Sequence, residues 1–497
     1  MVLTLPPTRQ ICFRLAQFGG AILAMSALVA SAAQAPAGAA DSLARGNPQD
    51  LIIELDASAV DQEAVALGRQ LGLKQDGAPL LQLRQDRYRQ LKDKVRSALP
   101  TGEYETVAEF HVLPLALIRV RTPRALTALV NHRGVVGIYR DAVKYPIPDK
   151  VPLLDSQSQA LIGQPVARAA GLTGAGTTVL VIDSGANYTV SDLGSCSAPA
   201  APATCRISHA LYVNSSNAVI SDPTPVASAN NNHGTNVAAI VAGVAVATHV
   251  AVVNVFGTAT STSDSKILAA INWGIANHAA YNIRALNLSL GDSALNTTAC
   301  SGSPYVSAFS AALSAGIVPV VAAGNNGYLN GISSPACAPG AVSVGAVYVA
   351  NYGSVGWSTC TDSTTAANMV TCFSNSASFL TMFAPGAIIT AGGQTFGGTS
   401  QASPFAAATI ALLYGAYPSA TANEQITRLT TTGLAVTDSR NGIAKPRLDL
   451  AAITTAVVPA TGEVPTLPEW GAFLLGAILL LSTVARRRAA QSPQSRA

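Results

Sequence analysis

Between Thr178 and Tyr414, short runs that are apolar at almost every position alternate with longer runs of small and apolar residues. Strands that are apolar on both faces are expected in a parallel sheet covered by helices on both sides. The alternation therefore predicts an α/β fold, a doubly wound and mostly parallel sheet with its site at the carboxyl ends of the strands. The predicted strands are Thr178–Ile182, His249–Val255, Ala285–Leu290, Val318–Ala322 and Ala341–Val347, and the predicted helices are Thr235–Val244, Ser265–His278, Ser303–Ala315 and Ser403–Tyr414.

The density of charged residues falls sharply near residue 150, which indicates a domain boundary. Residues 41–149 contain 15 Lys/Arg and 14 Asp/Glu, whereas residues 150–457 contain only 9 and 10. The formal net charge of +4 arises at the termini, so no basic face is implied in the body and nucleic acid is not a predicted partner. The 41–149 segment is predicted to be a small α+β domain. Its predicted strands are Leu51–Leu55, Leu115–Val120 and Val135–Tyr139, and its predicted helices are Arg84–Leu99 and Pro123–Asn131.

The N-terminus has the pattern of an export signal, predicted to cover residues 1–35. Arg9 and Arg14 precede an apolar run that ends near Ala30, and small residues follow up to Ala35. A short buried helix is the alternative interpretation.

Cysteine usage is consistent with export. Cys12 would leave with the signal, and the six that remain are Cys196, Cys205, Cys300, Cys337, Cys360 and Cys372. An even number outside the cytosol favours disulfides. Six cysteines allow 15 connectivities, and nearest-neighbour pairs would close loops without crossing. Free thiols or a metal site are the alternatives, although no Cys-x-x-Cys spacing supports a metal.

The C-terminal segment 464–488 has the pattern of a second targeting signal. A Val464-Pro-Thr-Leu-Pro-Glu-Trp-Gly motif leads into the apolar run Ala472–Ala485, which is closed by three arginines. The segment resembles the IPTL-CTERM sorting signals of Gram-negative bacteria, which implies a sorting enzyme as partner and the cell surface, outer envelope or medium as destination. The run is short for a membrane span of about 20 residues, and a permanent membrane anchor is the alternative.

Four short motifs supply the parts that an acyl-transfer enzyme needs: an acid, a base, a nucleophile and an amide donor. They are Val-Ile-Asp183-Ser-Gly, Asn-His233-Gly-Thr, Ala-Ala-Gly-Asn325-Asn-Gly and Gly-Gly-Thr-Ser400-Gln-Ala-Ser-Pro. Each has an ordinary alternative as a turn aspartate, a capping histidine, an Asn-Gly turn or a helix-capping serine. Their combination in this order favours catalysis.

With these motifs the chain resembles the subtilisin-like serine peptidases over about residues 155–455. The resemblance implies that residues 150–457 form a serine endopeptidase domain that cleaves protein or peptide substrates through an acyl-enzyme. It also implies Asp183, His233 and Ser400 as the triad, and Asn325 as the oxyanion-hole amide. The substrate-binding residues that it implies are Asn287, Ser289, Leu290 and Gly291 on one side and Ala322, Ala323 and Gly324 on the other.

The same resemblance implies that residues 41–149 are a propeptide that inhibits its own peptidase domain. Calcium is common in that family, but no acidic loop here is diagnostic of a calcium site, and no cofactor or metal ligand is predicted. The connection Ala186–Asn232 is expected to be a surface insertion.

Three positions depart from the family's usual pattern. Asn236 and Phe405 replace histidines that do not carry the chemistry, and Asp292 replaces the second glycine of the binding strand. A carboxylate at Asp292 would favour basic substrate residues.

Two other functions fit parts of the sequence. A non-catalytic surface-binding module could retain the fold, although all four catalytic positions are intact. The block Gly291-Asp-Ser293-Ala-Leu295 is similar to that of a lipase and esterase family but lacks its contiguous leucine. Gly174-Ala-Gly176 precedes its strand, whereas a dinucleotide-binding loop follows one.

Overall fold

The computed structural model describes residues 33–146, 149–150, 157–222 and 232–457. Most of the predicted leader and the whole predicted segment 464–488 lie outside these residues. Ala33, which belongs to the predicted leader, is buried against the N-terminal domain. Among the helices described, none is long and apolar enough to cross a membrane.

The N-terminal domain is a four-stranded antiparallel sheet with helices packed against it. Its strands are, in spatial order, Tyr104–Glu109, Leu115–Val120, Gln49–Leu55 and Val135–Arg140. Its helices are Ala39–Ala44, Ser58–Leu71, Ala78–Ala98 and Pro123–Val130. The α+β architecture predicted for this segment is confirmed, although the strand 104–109 and the helix 58–71 were not predicted.

The chain leaves this domain as an extended segment that pairs with the larger domain. Strand Val143–Pro146 lies between Thr262–Ser263 and Leu290–Gly291 and is antiparallel to both. The short strand Asp149–Lys150 then pairs with Gln394–Gly397, which forms a hairpin with Ile389–Ala391. We refer to residues 141–150 as the connecting segment.

The larger domain is built on a ten-stranded sheet, in which eight central strands are parallel and the two edge strands are antiparallel. In spatial order the strands are Leu434–Thr437, Ala444–Arg447, Met382–Pro385, Val342–Val347, Val318–Ala322, Ile283–Leu288, Thr178–Asp183, His249–Asn254, Ile207–Val213 and Val219–Ser221. The order of succession reverses beside strand 178–183, which is the place where α/β folds position their sites.

Helices cover both faces of the sheet, because the strands are apolar on both sides. Val179 and Val181 face one buried cluster, whereas Leu180 and Ile182 face the other. The first cluster includes residues of helices Asn232–Val244 and Thr399–Ala416, and the second includes residues of Asp264–Tyr281 and Tyr305–Ser314. The remaining helices are Gln157–Leu161, Gln164–Ala169, Ala422–Thr431 and Leu450–Val457, with a 3-10 turn at Ser191–Leu193. The predicted α/β fold with a mostly parallel sheet is thus confirmed.

Two predictions about local structure were wrong. The connection Ala186–Asn232 is not only a surface insertion, because its strand Ile207–Val213 joins the main sheet. Ile207 is buried in the first cluster, and Leu211 and Val213 are buried in the second. The last predicted helix begins at Thr399 rather than at Ser403, so Ser400 lies inside its first turn.

All three disulfides pair nearest neighbours in the sequence, as in the non-crossing arrangement considered above. They join Cys196 to Cys205, Cys300 to Cys337, and Cys360 to Cys372.

Candidate active site

Asp183 and His233 are joined by a short hydrogen bond in a nearly dry environment. Asp183 ends the strand 178–183 and is fully buried, and His233 is the second residue of helix 232–244. Nδ1 of His233 lies 2.8 Å from Oδ1 of Asp183, which also accepts the Ser184 backbone N–H at 2.7 Å. A buried carboxylate requires such donors, and the contact orients the imidazole with Nε2 on its far side.

The close approach of the helix to the strand end depends on glycine at position 234. A Cβ placed there would meet the Gly185 carbonyl oxygen at 2.0 Å, a distance that no side chain tolerates. Because the helix comes this close, the Gly234 N–H donates to the Oγ of Ser184 at 3.1 Å. The His-Gly pair in the sequence therefore serves packing as well as chemistry.

Ser400 lies in the first turn of helix 399–416, where backbone amides have no helical partner and the helix end is partially positive. Its Oγ donates to the Ser289 carbonyl at 3.1 Å. Nε2 of His233 is buried and has no hydrogen-bond partner within the part of the chain that the structure describes. Acid–base contact between the two residues requires the Ser400 side chain to rotate away from Ser289.

Pro404 explains a second contact between Ser289 and Ser400. The helix begins at Thr399, so Pro404 lies inside it. Proline has no N–H to donate to the carbonyl four residues earlier, which is that of Ser400. The Ser289 hydroxyl donates to this carbonyl at 2.7 Å. Ser289, which directly precedes strand 290–291, thus replaces the missing helical hydrogen bond.

Helices 232–244 and 399–416 are locked together next to the site. Gln401 donates its amide to Oδ1 of Asn236 at 3.1 Å, and Nδ2 of Asn236 donates to the carbonyls of Ala391 and Gln394 at 3.0 Å each. The His233 ring lies 6.2 Å from that of Phe396, on the strand that leads to Ser400. Asn236 therefore fixes helix 232–244, which carries His233, relative to helix 399–416, which carries Ser400.

Asn325 is oriented by Thr399, the residue before the serine. Its Oδ1 accepts the Thr399 N–H at 2.9 Å and the Thr399 hydroxyl at 2.8 Å. Since the oxygen end is held in this way, Nδ2 is the opposite end of the amide. The residue beside it, Gly324, has a φ of 107°, and a Cβ there would lie 2.3 Å from Nδ2 of Asn375. Glycine is therefore required by the backbone at position 324.

The predicted substrate-binding residues fall into two groups. Leu290 and Gly291 pair with Pro146 and Tyr145 of the connecting segment, so they bind an extended chain. Asn287 and Ser289 are fully buried and form a hydrogen-bond network with Ser403 and the Ser400 backbone. Their side chains therefore hold the start of the helix that carries Ser400 and do not face a substrate.

The opposite wall, Ala322 to Gly324, is held by a residue that the motifs did not reveal. Asn375 donates to the Ala323 carbonyl at 3.1 Å, and its Oδ1 accepts the N–H groups of Asn326 and Tyr328. Ala322 and Ala323 are buried. Asn375 stands in a stretch of polar residues, 374–376, that all prove to be buried. A polar stretch gives no sequence signal for burial, which is why it was missed.

Ser293, the serine of the lipase-like alternative, is exposed on the loop after strand 290–291. No hydrogen bond joins its hydroxyl to a histidine among the described residues. In the same part of the chain, no group of three or more His, Cys, Asp or Glu could hold a metal ion.

The sequence matches the model of the subtilase family over residues 174–449, more than half of the chain. It is 28% identical over 320 residues to subtilisin E of Bacillus subtilis, covering 61% of this chain and 71% of that protein. It is 29% identical over 335 residues to the alkaline protease of Shouchella clausii, covering 64% and 73%. It is also 32% identical over 253 residues to the cuticle-degrading serine protease of Arthrobotrys oligospora, covering 47% and 50%. The chain belongs to the subtilase family and is a subtilisin-like serine endopeptidase.

Proposed function

We propose that the protein is an exported endopeptidase, made as a self-processing precursor, in which Asp183, His233 and Ser400 form the catalytic triad. The observation that carries the assignment is the 2.8 Å contact between Asp183 and His233 at the switch point of the sheet, beside the helix that bears Ser400. Asn325 is the oxyanion donor, and Leu290 and Gly291 bind the substrate backbone.

The mechanism follows from the positions of these groups. Ser400 Oγ turns from the Ser289 carbonyl, transfers its proton to Nε2 of His233 and forms a bond to the peptide carbonyl carbon. Asp183 stabilises the imidazolium that results. Nδ2 of Asn325 and the Ser400 N–H bind the oxyanion. The C–N bond breaks as Nε2 returns the proton to the leaving amine, and water then releases the acid from the acyl-enzyme by the same proton transfers.

The N-terminal domain serves as the propeptide in this proposal. Its strand residues Ile52, Leu115 and Leu117 share a buried cluster with helices 264–281 and 305–314 of the peptidase domain. Asp141 accepts hydrogen bonds from both the N–H and the hydroxyl of Ser265, at 2.8 and 2.7 Å. The domain therefore covers the peptidase and leads its own chain into the cleft.

The connecting segment is placed as a substrate would be. Pro146 pairs with Leu290, next to the residue that contacts Ser400, and Asp149 pairs with Gly397, three residues before Ser400. The bond to be cut is therefore the one after residue 146, 147 or 148.

The test is the fate of the full-length precursor expressed in an oxidising compartment. Wild type is expected to lose the N-terminal domain and to show a new N-terminus at residue 147, 148 or 149 by mass spectrometry and N-terminal sequencing. Ser400→Ala is expected to remain whole, with turnover reduced by about a million-fold.

The matched control is Ser293→Ala, which removes an exposed hydroxyl and also tests the lipase-like alternative, in which Ser293 would be the nucleophile. It is expected to process as wild type does. If both wild type and Ser400→Ala stay whole while well folded and inactive on peptides, the non-catalytic binding module is the better interpretation.

Export and surface sorting are part of the same proposal. Three disulfides are typical of proteins folded outside the cytosol. Deletion of residues 464–497 is expected to move the enzyme from the envelope fraction to the medium. An unchanged distribution on fractionation would remove the sorting segment from the proposal.

A further inference from the structure

Lys144 of the connecting segment is a fully buried lysine, only 1% exposed. It lies in the strand that occupies the cleft, and its neighbours in that strand, Val143 and Tyr145, are about half exposed, at 49% and 50%. Side chains of a strand alternate between two faces. Lys144 and Pro146 therefore point into the peptidase domain, whereas Val143 and Tyr145 point outward.

Two carboxylates of the peptidase domain meet the Lys144 ammonium group. Nζ lies 2.9 Å from Oδ1 of Asp264 and 3.4 Å from Oδ2 of Asp292. The phenol of Tyr305, itself completely buried, donates to the same Asp264 oxygen at 2.8 Å. Tyr305 belongs to helix 305–314, Asp264 begins helix 264–281, and Asp292 follows the binding strand.

Both carboxylates are held in place by the peptidase domain itself. Oδ1 of Asp292 accepts the N–H groups of Ala294 and Ser334, each at 3.1 Å, which leaves Oδ2 directed to Lys144. Asp264 is 4% exposed, and burial raises its pKa although the Lys144 ammonium opposes this. The carboxylate of Asp292 is therefore oriented by two peptidase-domain amides, and that of Asp264 by the Tyr305 phenol.

The cation that neutralises this pair comes from the segment that processing would release. Among the described residues from 157 onward, no Lys, Arg or His lies within 4 Å of either carboxylate. Two carboxylates left together in a poorly solvated place are costly without a cation. A basic side chain of a substrate that replaces the connecting segment would provide one.

We propose that Asp264, Asp292 and Tyr305 form a specificity subsite that selects Lys or Arg in the substrate, at the position that Lys144 occupies in the precursor. This proposal rests on the proposed function, since it assumes that substrates bind as the connecting segment does. The pairing of residues 146 and 149 around Ser400 makes the basic residue the third, fourth or fifth before the cut bond. The substrate class is thus an extended peptide with a basic residue at that distance.

The experiment compares peptides that differ at one position on the processed enzyme. A fluorogenic host peptide with alanine at the third, fourth and fifth positions before the cut measures the endopeptidase activity that does not depend on a basic residue. Lys, Arg, norleucine and Glu are then placed at each position in turn. At one of them, Lys or Arg is expected to raise kcat/KM over norleucine by about ten- to one-hundredfold, the range of a buried charge-assisted hydrogen bond.

Asp292→Asn is the most informative variant. Asparagine keeps an oxygen for the Ala294 and Ser334 amides but removes the negative charge that faces the lysine. The Lys-to-norleucine ratio is expected to fall at least several-fold, and to fall further with Asp264→Asn. Asp449→Asn is the matched control, because it removes one acidic charge elsewhere and retains an oxygen for the Ala452 N–H. That variant is expected to keep the wild-type ratio.

A second measurement tests the interaction between Lys144 and the subsite without cleavage of any substrate. In the full-length Ser400→Ala precursor, a double-mutant cycle of Lys144→Met and Asp292→Asn in urea unfolding is expected to show a favourable coupling between the two side chains. Equal kcat/KM for Lys and norleucine at all three positions would overturn the subsite while leaving the peptidase intact. If wild type cleaves no peptide, the proposed function fails, and a cycle with no coupling would overturn the subsite as well.

Discussion

At the scale of single residues, the side chains that hold Asn325 are as informative as Asn325 itself. Thr399 donates twice to its Oδ1 and accepts the Gly324 N–H with its own hydroxyl. The proposed oxyanion donor is therefore fixed by the residue next to the proposed nucleophile. Preorganised donors of this kind stabilise a transition state because they need no reorientation as charge develops.

Asn325→Ala is expected to lower kcat by about 10²- to 10³-fold with little change in KM, because the amide contacts the oxyanion and not the ground-state carbonyl. The measurement is steady-state kinetics on one peptide at a fixed pH. Asn325→Asp serves as the comparison, because it keeps an oxygen for Thr399 but loses the donor and adds a negative charge, so kcat is expected to fall at least as far. Activity retained by the aspartate variant would contradict the donor role.

At the scale of elements, the disulfides fasten loops around the site rather than the sheet itself. Cys300 and Cys337 join the loop after strand 290–291 to the loop after strand 318–322, with a sequence separation of 37 residues. Cys196 and Cys205 are separated by only nine. A longer loop gains more conformational freedom in the unfolded chain when its cross-link is absent.

Replacing Cys300 and Cys337 together by alanine is expected to lower the free energy of unfolding by about 4 kcal/mol, against about 3 kcal/mol for the Cys196 and Cys205 pair. The measurement is urea unfolding of each double variant in the Ser400→Ala background, which prevents autolysis. A larger loss from the short loop would show that native contacts, and not loop entropy, dominate the contribution of these cross-links.

At the scale of the whole molecule, the N-terminal domain contains a buried amine close to the surface that joins it to the peptidase domain. Nζ of Lys92, in helix 78–98, donates to the Phe110 carbonyl at 2.6 Å. Two residues further on, the Val112 N–H donates to Oδ1 of Asn272 on helix 264–281. Burial, assisted by the nearby Arg96, lowers the pKa of Lys92 from 10.5 to about 7.

This shift predicts a precursor whose stability rises with pH above about 7. The unfolded chain keeps the Lys92 proton up to about pH 10.5 and the folded chain only up to about 7, so the unfolded state binds more protons in that window. The free energy of unfolding should gain up to about 1.4 kcal/mol per pH unit there. Below pH 7 both states are protonated, and the cost of burying the charge is present in full.

Lys92→Met in the Ser400→Ala precursor is expected to remove this dependence and to stabilise the protein most at pH 6. The Phe110 carbonyl retains the Leu113 N–H as a donor, so the variant leaves no buried acceptor unsatisfied. Urea unfolding at pH 6 to 9 is the measurement. The same difference between variant and parent at both ends of the range would contradict the shift, and His111, whose pKa is also lowered by burial, is the neighbour to exclude by substitution.

Much of the site was predictable because its residues occupy locally patterned positions. An apolar strand that ends in Asp183, and small residues around His233, Asn325 and Ser400, are features of short sequence windows. The parallel sheet follows from strands that are apolar on both faces. The strand 207–213 was missed because its alternating pattern is short and lies in a polar connection, directly after Cys205.

The sequence by itself thus determined the class of fold and the motifs to which the roles of acid, base, nucleophile and amide donor are assigned in our proposal. Only the tertiary structure decided which partners they meet, because those contacts join segments that are remote along the chain. The Ser289 hydroxyl that compensates for Pro404 and the carboxylates that enclose Lys144 are of this kind. A lone aspartate or lysine has no sequence pattern that reveals its burial, since burial and charge pairing depend on how strands and helices pack.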